Sequence, residues 1–128
     1  MNRIKWLTGV FTLALILIVV IANLGLGPIY FPFIYNVPGL DKAGHFFLMG
    51  TLSFLVNLAL NVKKTKLLSR EIFVGSLVVT LIVFLEELTQ LFLIYRAFSW
   101  MDLVFDLGGI FLGGQMAFRL RNKADLQG

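Results

Sequence analysis

Apolar residues run along this chain in four long blocks, which charged residues separate. The blocks cover Trp6 to Leu26, Gly44 to Leu60, Ile72 to about Leu93, and Met101 to Phe118. About 20 helical residues cross the roughly 30 Å of bilayer hydrocarbon, so each block suits one membrane-spanning helix. The pattern predicts an all-α fold, an integral membrane bundle of four transmembrane helices that forms one domain over residues 1–128. The first block lacks an A-x-A cleavage site, and we expect it to be retained rather than removed as a signal peptide.

The basic residues predict how this bundle is oriented, because cytoplasmic loops collect Lys and Arg. Nine of the eleven fall on one side of the predicted bundle: Arg3, Lys5, Lys63, Lys64, Lys66, Arg70, Arg119, Arg121 and Lys123. Lys42 and Arg96 fall on the other side. We therefore expect both termini to be cytoplasmic, and the Pro-, Gly- and aromatic-rich loop at 27–43 to face outward.

Composition supports a membrane protein and excludes several other classes. Of the 128 residues, 59% are hydrophobic and only 14% are charged, and the mean hydropathy is +0.90, so the bilayer is the expected partner. The chain has no cysteine, which excludes disulfides, thiolate metal ligands and cysteine nucleophiles. The net charge of +4 does not indicate nucleic-acid binding, since no basic patch with interleaved aromatic residues is present.

Carboxylates lie within or beside the last two apolar blocks, where they are least expected. The stretch LEELTQLFLIYRAFSWMDLVFD, residues 85–106, holds four of the seven acids in the chain. Asp102 and Asp106 share a helix face with Gly109 and Gly113, because residues at i, i+4, i+7 and i+11 lie on one side of a helix. The glycines allow another helix backbone to approach closely, so this face is predicted to point into the bundle.

The remaining polar residues are predicted to meet these acids near the outer membrane interface. Gln90 lies four residues after Glu86 and three after Glu87, which places all three on one face of the third helix. The second helix begins at the same end with the sequence DKAGH. One site is expected to contain Asp41, Lys42, His45, Glu86, Glu87, Gln90, Arg96, Ser99, Asp102 and Asp106.

Each of these residues also has a purely structural interpretation. Asp41 and Ser99 are candidate helix N-caps, His45 could be an interior histidine, and Lys42 and Arg96 could extend towards the interface. The group as a whole favours function, because an acid inside the membrane costs about 2.5–3.5 kcal/mol even on the lenient insertion scale. Packing or capping alone rarely accounts for four such acids.

The charges of this predicted site do not balance. Five acids, counting Asp41, face Lys42, Arg96 and the single His45. Protonation of one or two carboxyl groups would relieve the excess and is the favoured interpretation. A bound divalent cation, with hard oxygen ligands and one imidazole, is the less favoured alternative. We accordingly expect no cofactor.

The motifs of the chain resemble the VanZ-like family, which is named for a membrane protein associated with resistance to teicoplanin. The family pattern is D-K-x-x-H, then an acidic pair or single acid followed by Gln, then R, S and D, then D or N before a Gly-rich helix. Its elements read here as Asp41, Lys42 and His45; Glu86, Glu87 and Gln90; Arg96, Ser99 and Asp102; and Asp106, Gly109 and Gly113. The resemblance covers roughly residues 41–114. It implies a multi-pass protein of the bacterial cytoplasmic membrane, linked to the cell envelope and to glycopeptide susceptibility.

Three functions compete for this site, and whether the chain is an enzyme stays open. In the first, the site binds or modifies a lipid-linked envelope precursor or a phospholipid headgroup. Lys42 and Arg96 would hold phosphate, and His45, oriented by Asp41, would exchange protons together with Glu87 or Asp106. The residues assigned to catalysis are thus His45, Glu87, Asp106 and Asp41, and those assigned to substrate binding are Lys42, Arg96, Gln90, Glu86, Ser99 and Asp102.

The other two functions are not enzymatic. One is a scaffold that stabilises an envelope enzyme, in which the polar residues only lock the helices together. The other is a proton- or cation-linked carrier element, expected to be a homo-oligomer because four short helices enclose little volume. Intramembrane acids mark such pathways, but the other halves of the predicted helices read as almost purely apolar, which leaves no path to the cytoplasm.

Overall fold

The protein is mostly helical and contains one small β-hairpin. The computed structural model describes residues 2–128. Its elements in chain order are helices α1 (Asn2–Asn23), α2 (Gly27–Tyr30), α3 (Pro32–Asn36) and α4 (Leu40–Ala59), strands β1 (Lys64–Leu67) and β2 (Arg70–Phe73), and helices α5 (Val74–Thr89) and α6 (Trp100–Gln127). A 3-10 turn, Gln90–Phe92, extends α5. The predominantly helical fold confirms the prediction from hydropathy.

Among residues 2–128, three helices are long and apolar enough to cross a membrane. They are α1, the continuous stretch Val74–Phe92, and α6. Helix α4 has 20 residues but does not reach the same apolarity, because Lys42, His45 and Asn57 interrupt its hydrophobic sequence. Three candidate spans are thus established, whereas the fourth span and the orientation of the termini stay predictions.

Helix α4 occupies the centre of the fold and packs against α1, α5 and α6, most extensively against α6. The apolar core between these helices is built from Leu15, Leu52, Val79, Val83, Leu103 and Ile110. Large apolar side chains also cover the outside of the helices, with Trp6, Leu13, Ile82 and Phe111 all more than half exposed. A surface of this kind is stable against lipid hydrocarbon rather than water.

Glycines allow α4 and α6 to approach to backbone contact, as the sequence predicted. A Cβ added at Gly109 would overlap the carbonyl oxygen of Phe46, and one added at Gly113 would overlap the carbonyl oxygen of Gly50. The acidic end of the same α6 face therefore lies directly beside the beginning of α4. This close approach is what brings side chains from the two helices within hydrogen-bonding distance.

The connection between α4 and α5 differs from the prediction. The third helix was expected from residue 72, but residues 70–73 pair with 64–67 in an antiparallel hairpin, and α5 begins at Val74. Leu68 and Ser69 form the two-residue turn of this hairpin. Their φ angles are 49° and 66°, and positive φ at both positions is typical of a type I′ turn. The last helix also continues past residue 118 to Gln127, and the loop at 27–43 contains α2 and α3.

A glycine turn at the end of α1 positions one residue of the site. Gly25 has φ 75°, and its N–H and that of Leu26 donate to the carbonyl oxygens of Ala22 and Ile21, at 3.1 and 3.0 Å. This is the Schellman pattern that stops a helix. It leaves Asn23, the last residue of α1, at the same end of the bundle as the beginnings of α4 and α6.

Candidate functional site

The beginnings of α4 and α6 bring Lys42 and Asp102 together. Ser99 caps α6, since its hydroxyl accepts from the Asp102 backbone N–H at 3.3 Å, and this confirms one of the two predicted caps. Asp41, the other candidate cap, does not cap α4, because the helix is preceded by Gly39 at φ 80° and Asp41 lies within the first turn. Lys42 precedes the predicted span at residues 44–60, and its Nζ donates to Asp102 Oδ1 at 2.8 Å. This hydrogen bond raises the pKa of the Lys42 ammonium, because it favours the charged form.

His45 lies at the centre of the candidate site, and carboxylates face both of its ring nitrogens. Its Nδ1 lies 2.9 Å from Asp106 Oδ1. Its Nε2 lies 3.7 Å from both Asp41 Oδ1 and Asp102 Oδ2, which is beyond hydrogen-bonding distance. Asp106 is buried, whereas the Asp41 side chain is 57% exposed, so the cluster runs from the protein surface into the interior.

Glu87 is the most deeply buried acid of the cluster. Its relative exposure is 0%, and neither carboxylate oxygen has a hydrogen-bond partner among residues 2–128. Its carboxylate, a His45 ring nitrogen and an Asp106 oxygen all lie within 4.8 Å of one another. Asp41, His45 and Asp102 form a second such group. Either group has ligand atoms suited to a metal ion, because carboxylate and imidazole are common ligands of Zn²⁺ and related ions.

A second part of the site surrounds Arg96. Its guanidinium donates to Asn23 Oδ1 at 2.9 Å and lies 3.5 Å from Glu86 Oε1. The other oxygen of Glu86 accepts from Gln90 Nε2 at 2.8 Å. Asn23 was not predicted as a site residue. It was missed because it lies near the end of the first apolar block, where a lone amide resembles an ordinary helix terminus.

The structure thus gathers all ten predicted site residues at one end of the bundle, in two adjoining groups. Residues from α4 and α6, together with Glu87, surround His45, while Glu86, Gln90 and Arg96 form the second group with Asn23. We call both groups together the polar cluster. Their assignment to catalysis or substrate binding stays a prediction.

A further set of polar residues lies deeper between the helices, where the sequence had indicated almost purely apolar contacts. Ser53 and Asn57 are both 0% exposed. Ser53 Oγ donates to the carbonyl oxygen of Ile110 at 2.8 Å, and Asn57 Nδ2 donates to Ser76 Oγ at 2.9 Å. The i, i+4 spacing of Ser53 and Asn57, which places the two polar side chains on one face of the helix, could have revealed them. These bonds link α4 to α5 and α6.

No family model matches the chain, and no curated protein or solved structure is significantly similar to it.

Proposed function

We propose that this chain is a four-span protein of the bacterial cytoplasmic membrane that binds a phosphate-bearing lipid headgroup or lipid-linked envelope precursor in its polar cluster. In this proposal α4 is the fourth span, both termini are cytoplasmic, and the cluster opens at the outer interface. The proposal rests on the nine-to-two asymmetry of basic residues and on the position of the cluster at the end of the bundle opposite to most of them.

The observation that carries the proposal is that Lys42 and Arg96, in the polar cluster, have hydrogen-bond donors that a bound phosphate group could use. The Lys42 side chain is 36% exposed and donates one hydrogen bond, to Asp102, although an ammonium has three donors. Arg96 donates to Asn23 with one of its five N–H groups, and its 3.5 Å contact with Glu86 is loose. Phosphate oxygens bind well to such cations.

A reaction on the bound headgroup is the stronger form of this proposal. His45 and Glu87 would then exchange protons with the substrate, while Asp41 and Asp106 would hold the imidazole orientation. The position of carboxylates beside both nitrogens of His45 supports this form. Gln90, Glu86, Ser99 and Asp102 would keep the two cations in place rather than react.

The experiment that tests headgroup binding is native mass spectrometry of the protein released from mild detergent. We expect wild-type protein to retain a phosphate-bearing lipid and Arg96→Ala to lose most of it. Arg121→Ala is the matched control, because Arg121 is a partly exposed arginine near the other end of α6, paired with Asp125. Equal lipid retention by all three proteins, or none by folded wild type, would overturn the headgroup site.

The motif resemblance extends the proposal to antibiotic susceptibility. Because the matching residues include those that surround His45 and Arg96, we propose that the chain acts as VanZ-like proteins are expected to act, on glycopeptide susceptibility through the envelope. Expression in a teicoplanin-sensitive bacterium should raise the inhibitory concentration of teicoplanin, and Arg96→Ala should abolish the increase. An unchanged inhibitory concentration at matched membrane expression would contradict this role.

A scaffold function is the second candidate, and the deep contacts of Ser53 and Asn57 favour it. Hydrogen bonds that link three helices stabilise a rigid shape that a partner envelope enzyme, or a second copy of this chain, could bind. In that case Arg96→Ala would leave function intact as long as the fold is kept.

A further inference from the structure

Glu87 requires a partner that the described residues do not supply. An ionised carboxylate that is fully buried is strongly destabilised unless a cation lies beside it. A protonated carboxyl group is no better satisfied, since its O–H needs an acceptor and neither oxygen has a partner among residues 2–128. Buried polar groups without partners are rare in folded proteins. The unpaired carboxyl group of Glu87 therefore indicates that a ligand from outside the chain binds at this position.

We infer that His45, Glu87 and Asp106 bind a divalent transition-metal ion, such as Mn²⁺ or Zn²⁺, at the inner end of the polar cluster. The ion would be held by one imidazole nitrogen and two carboxylate oxygens, which leaves further coordination positions for water or substrate. This inference deepens the proposed headgroup site and depends on it for the biological role of the ion, but not for the existence of the ion. With the ion bound, His45 and Glu87 act as ligands, which replaces the form of the proposal in which they exchange protons with the substrate.

The candidate ligand atoms are grouped closely enough for such an ion. Metal bonds of about 2.1 Å give about 3.0 Å between neighbouring ligands of an octahedral ion and about 3.4 Å for a tetrahedral one. His45 Nδ1 and Asp106 Oδ1 are 2.9 Å apart, as neighbouring ligands would be, and a Glu87 oxygen lies within 4.8 Å of a His45 ring nitrogen and an Asp106 oxygen. A hydrogen bond between His45 and Asp106 explains the first distance equally well, but it leaves Glu87 without a partner. A metal ion provides a partner for all three side chains.

Carboxylates face the second ring nitrogen of His45, as in many metal-bound histidines, although at 3.7 Å they lie beyond hydrogen-bonding distance. A ligating histidine usually directs its second ring nitrogen to a carboxylate, which fixes the ring and strengthens its metal bond. His45 Nε2 faces both Asp41 and Asp102, each at 3.7 Å. Asp102 is itself fixed by Lys42 and by its position in the first turn of α6. The outer acids would thus orient the histidine while the inner acids bind the ion.

Charge favours the same conclusion. The polar cluster holds five carboxylates and two permanently positive side chains, Lys42 and Arg96. With His45 neutral, as metal ligation requires, three negative charges remain, and they would repel an anionic headgroup. A dication reduces the excess to one and supplies a positive centre for phosphate. The imidazole ligand favours a transition metal over Mg²⁺ or Ca²⁺, which prefer all-oxygen sites.

The test is metal binding by the purified full-length protein in mild detergent, measured without lipid. After chelator treatment and dialysis, the protein is loaded with Mn²⁺ or Zn²⁺, and bound metal per chain is determined by elemental mass spectrometry. A Mn²⁺ titration followed by electron paramagnetic resonance gives the affinity. We expect one ion per chain in wild type and at least tenfold weaker binding in Glu87→Gln and Asp106→Asn.

Glu71→Gln is the matched control, because Glu71 is an acid of the same type that pairs with Lys64 in the hairpin, away from the polar cluster. It should bind the ion as wild type does. If Glu87→Gln fails to fold, as judged by circular dichroism and gel filtration, Asp106→Asn decides the result. Folded wild type without a stoichiometric ion, or equal affinity in wild type and the ligand variants, would overturn the metal site. A metal-binding protein that retains no lipid would contradict only the headgroup proposal.

Discussion

At the residue scale, Asn57 shows how one amide can link helices inside the bundle. Its Nδ2 donates to Ser76 Oγ on α5 at 2.9 Å and to the Ser53 carbonyl oxygen on its own helix at 2.9 Å. Interhelical hydrogen bonds in membrane proteins contribute about 0.6 kcal/mol on average, with a maximum near 1.7. We expect Asn57→Ala to lower the free energy of unfolding by about 1–2 kcal/mol.

Reversible unfolding in mixed detergent micelles, followed by circular dichroism, measures this change. Thr51→Ala is the control on the same helix, because Thr51 is exposed and its hydroxyl bonds only the Phe47 carbonyl oxygen one turn earlier. It should leave the free energy of unfolding within about 0.5 kcal/mol of wild type. Equal stability of Asn57→Ala and Thr51→Ala would show that the amide does not link the helices.

The sequence is more informative about charged residues than about neutral polar ones. Acids in an apolar block are costly, so the sequence alone identifies Glu87 and Asp106 as site candidates. Asn57 and Ser53 cost less and were overlooked, although their i, i+4 spacing places both on one face of the helix. The cap at Ser99 followed from its spacing to Asp102, whereas the alternative interpretation of Asp41 as a cap does not hold, because Gly39 supplies the left-handed residue that precedes α4.

At the scale of elements, the contact of α4 with α6 depends on glycines that no side chain can replace. A Cβ at Gly109 would overlap the Phe46 carbonyl oxygen, and backbone cannot move aside as a flexible side chain can. Gly109→Ala should therefore separate the helices and destabilise the fold by about 2–3 kcal/mol. It should also weaken the Lys42–Asp102 and His45–Asp106 contacts, which span the same two helices.

Gly108→Ala is the control at the neighbouring position, and we expect it to raise the stability of the fold slightly or leave it unchanged. A Cβ there would meet only the Phe46 ring, at an ordinary 3.5 Å. Alanine also favours a helix over glycine by up to about 1 kcal/mol, so this variant should be as stable as wild type or slightly more so. Both variants can be compared by unfolding in the same mixed micelles. Similar destabilisation by the two alanines would contradict the proposed backbone contact.

Helices whose polar and apolar residues repeat with a clear helical period were predictable from the sequence, whereas the hairpin, which depends on a local turn, was not. The stripe of Asp106, Gly109 and Gly113 predicted correctly which face of α6 is buried. The hairpin at 64–73 was missed because its strands have four residues each, and because Leu68 and Ser69 replace the Asn-Gly pair that marks a type I′ turn. Hydrophobic periodicity over such a short charged segment contains too little information.

At the scale of the whole molecule, the position of α4 decides whether the two ends of the bundle lie on opposite sides of a membrane. Helix α4 connects the aromatic segment that contains α3 to the basic hairpin, and it is the one long helix among residues 2–128 that falls short of the apolarity expected of a span. Its interrupting residues, His45 and Asn57 among them, face other helices rather than lipid. A helix with buried polar groups and an apolar outer side can cross a bilayer inside a bundle, so we expect α4 to span.

Two single cysteines introduced into this cysteine-free chain test that expectation. Asn36→Cys, on exposed α3, should react with a membrane-impermeant maleimide in intact cells, because the positive-inside rule places residues 27–43 outside. Ser69→Cys, in the exposed hairpin turn, should react only after permeabilisation. The opposite pattern would invert the orientation and place the polar cluster in the cytoplasm. Labelling of both cysteines from the same side would show that α4 does not cross the membrane, and the polar cluster could then not be an outward-facing site formed by four spans.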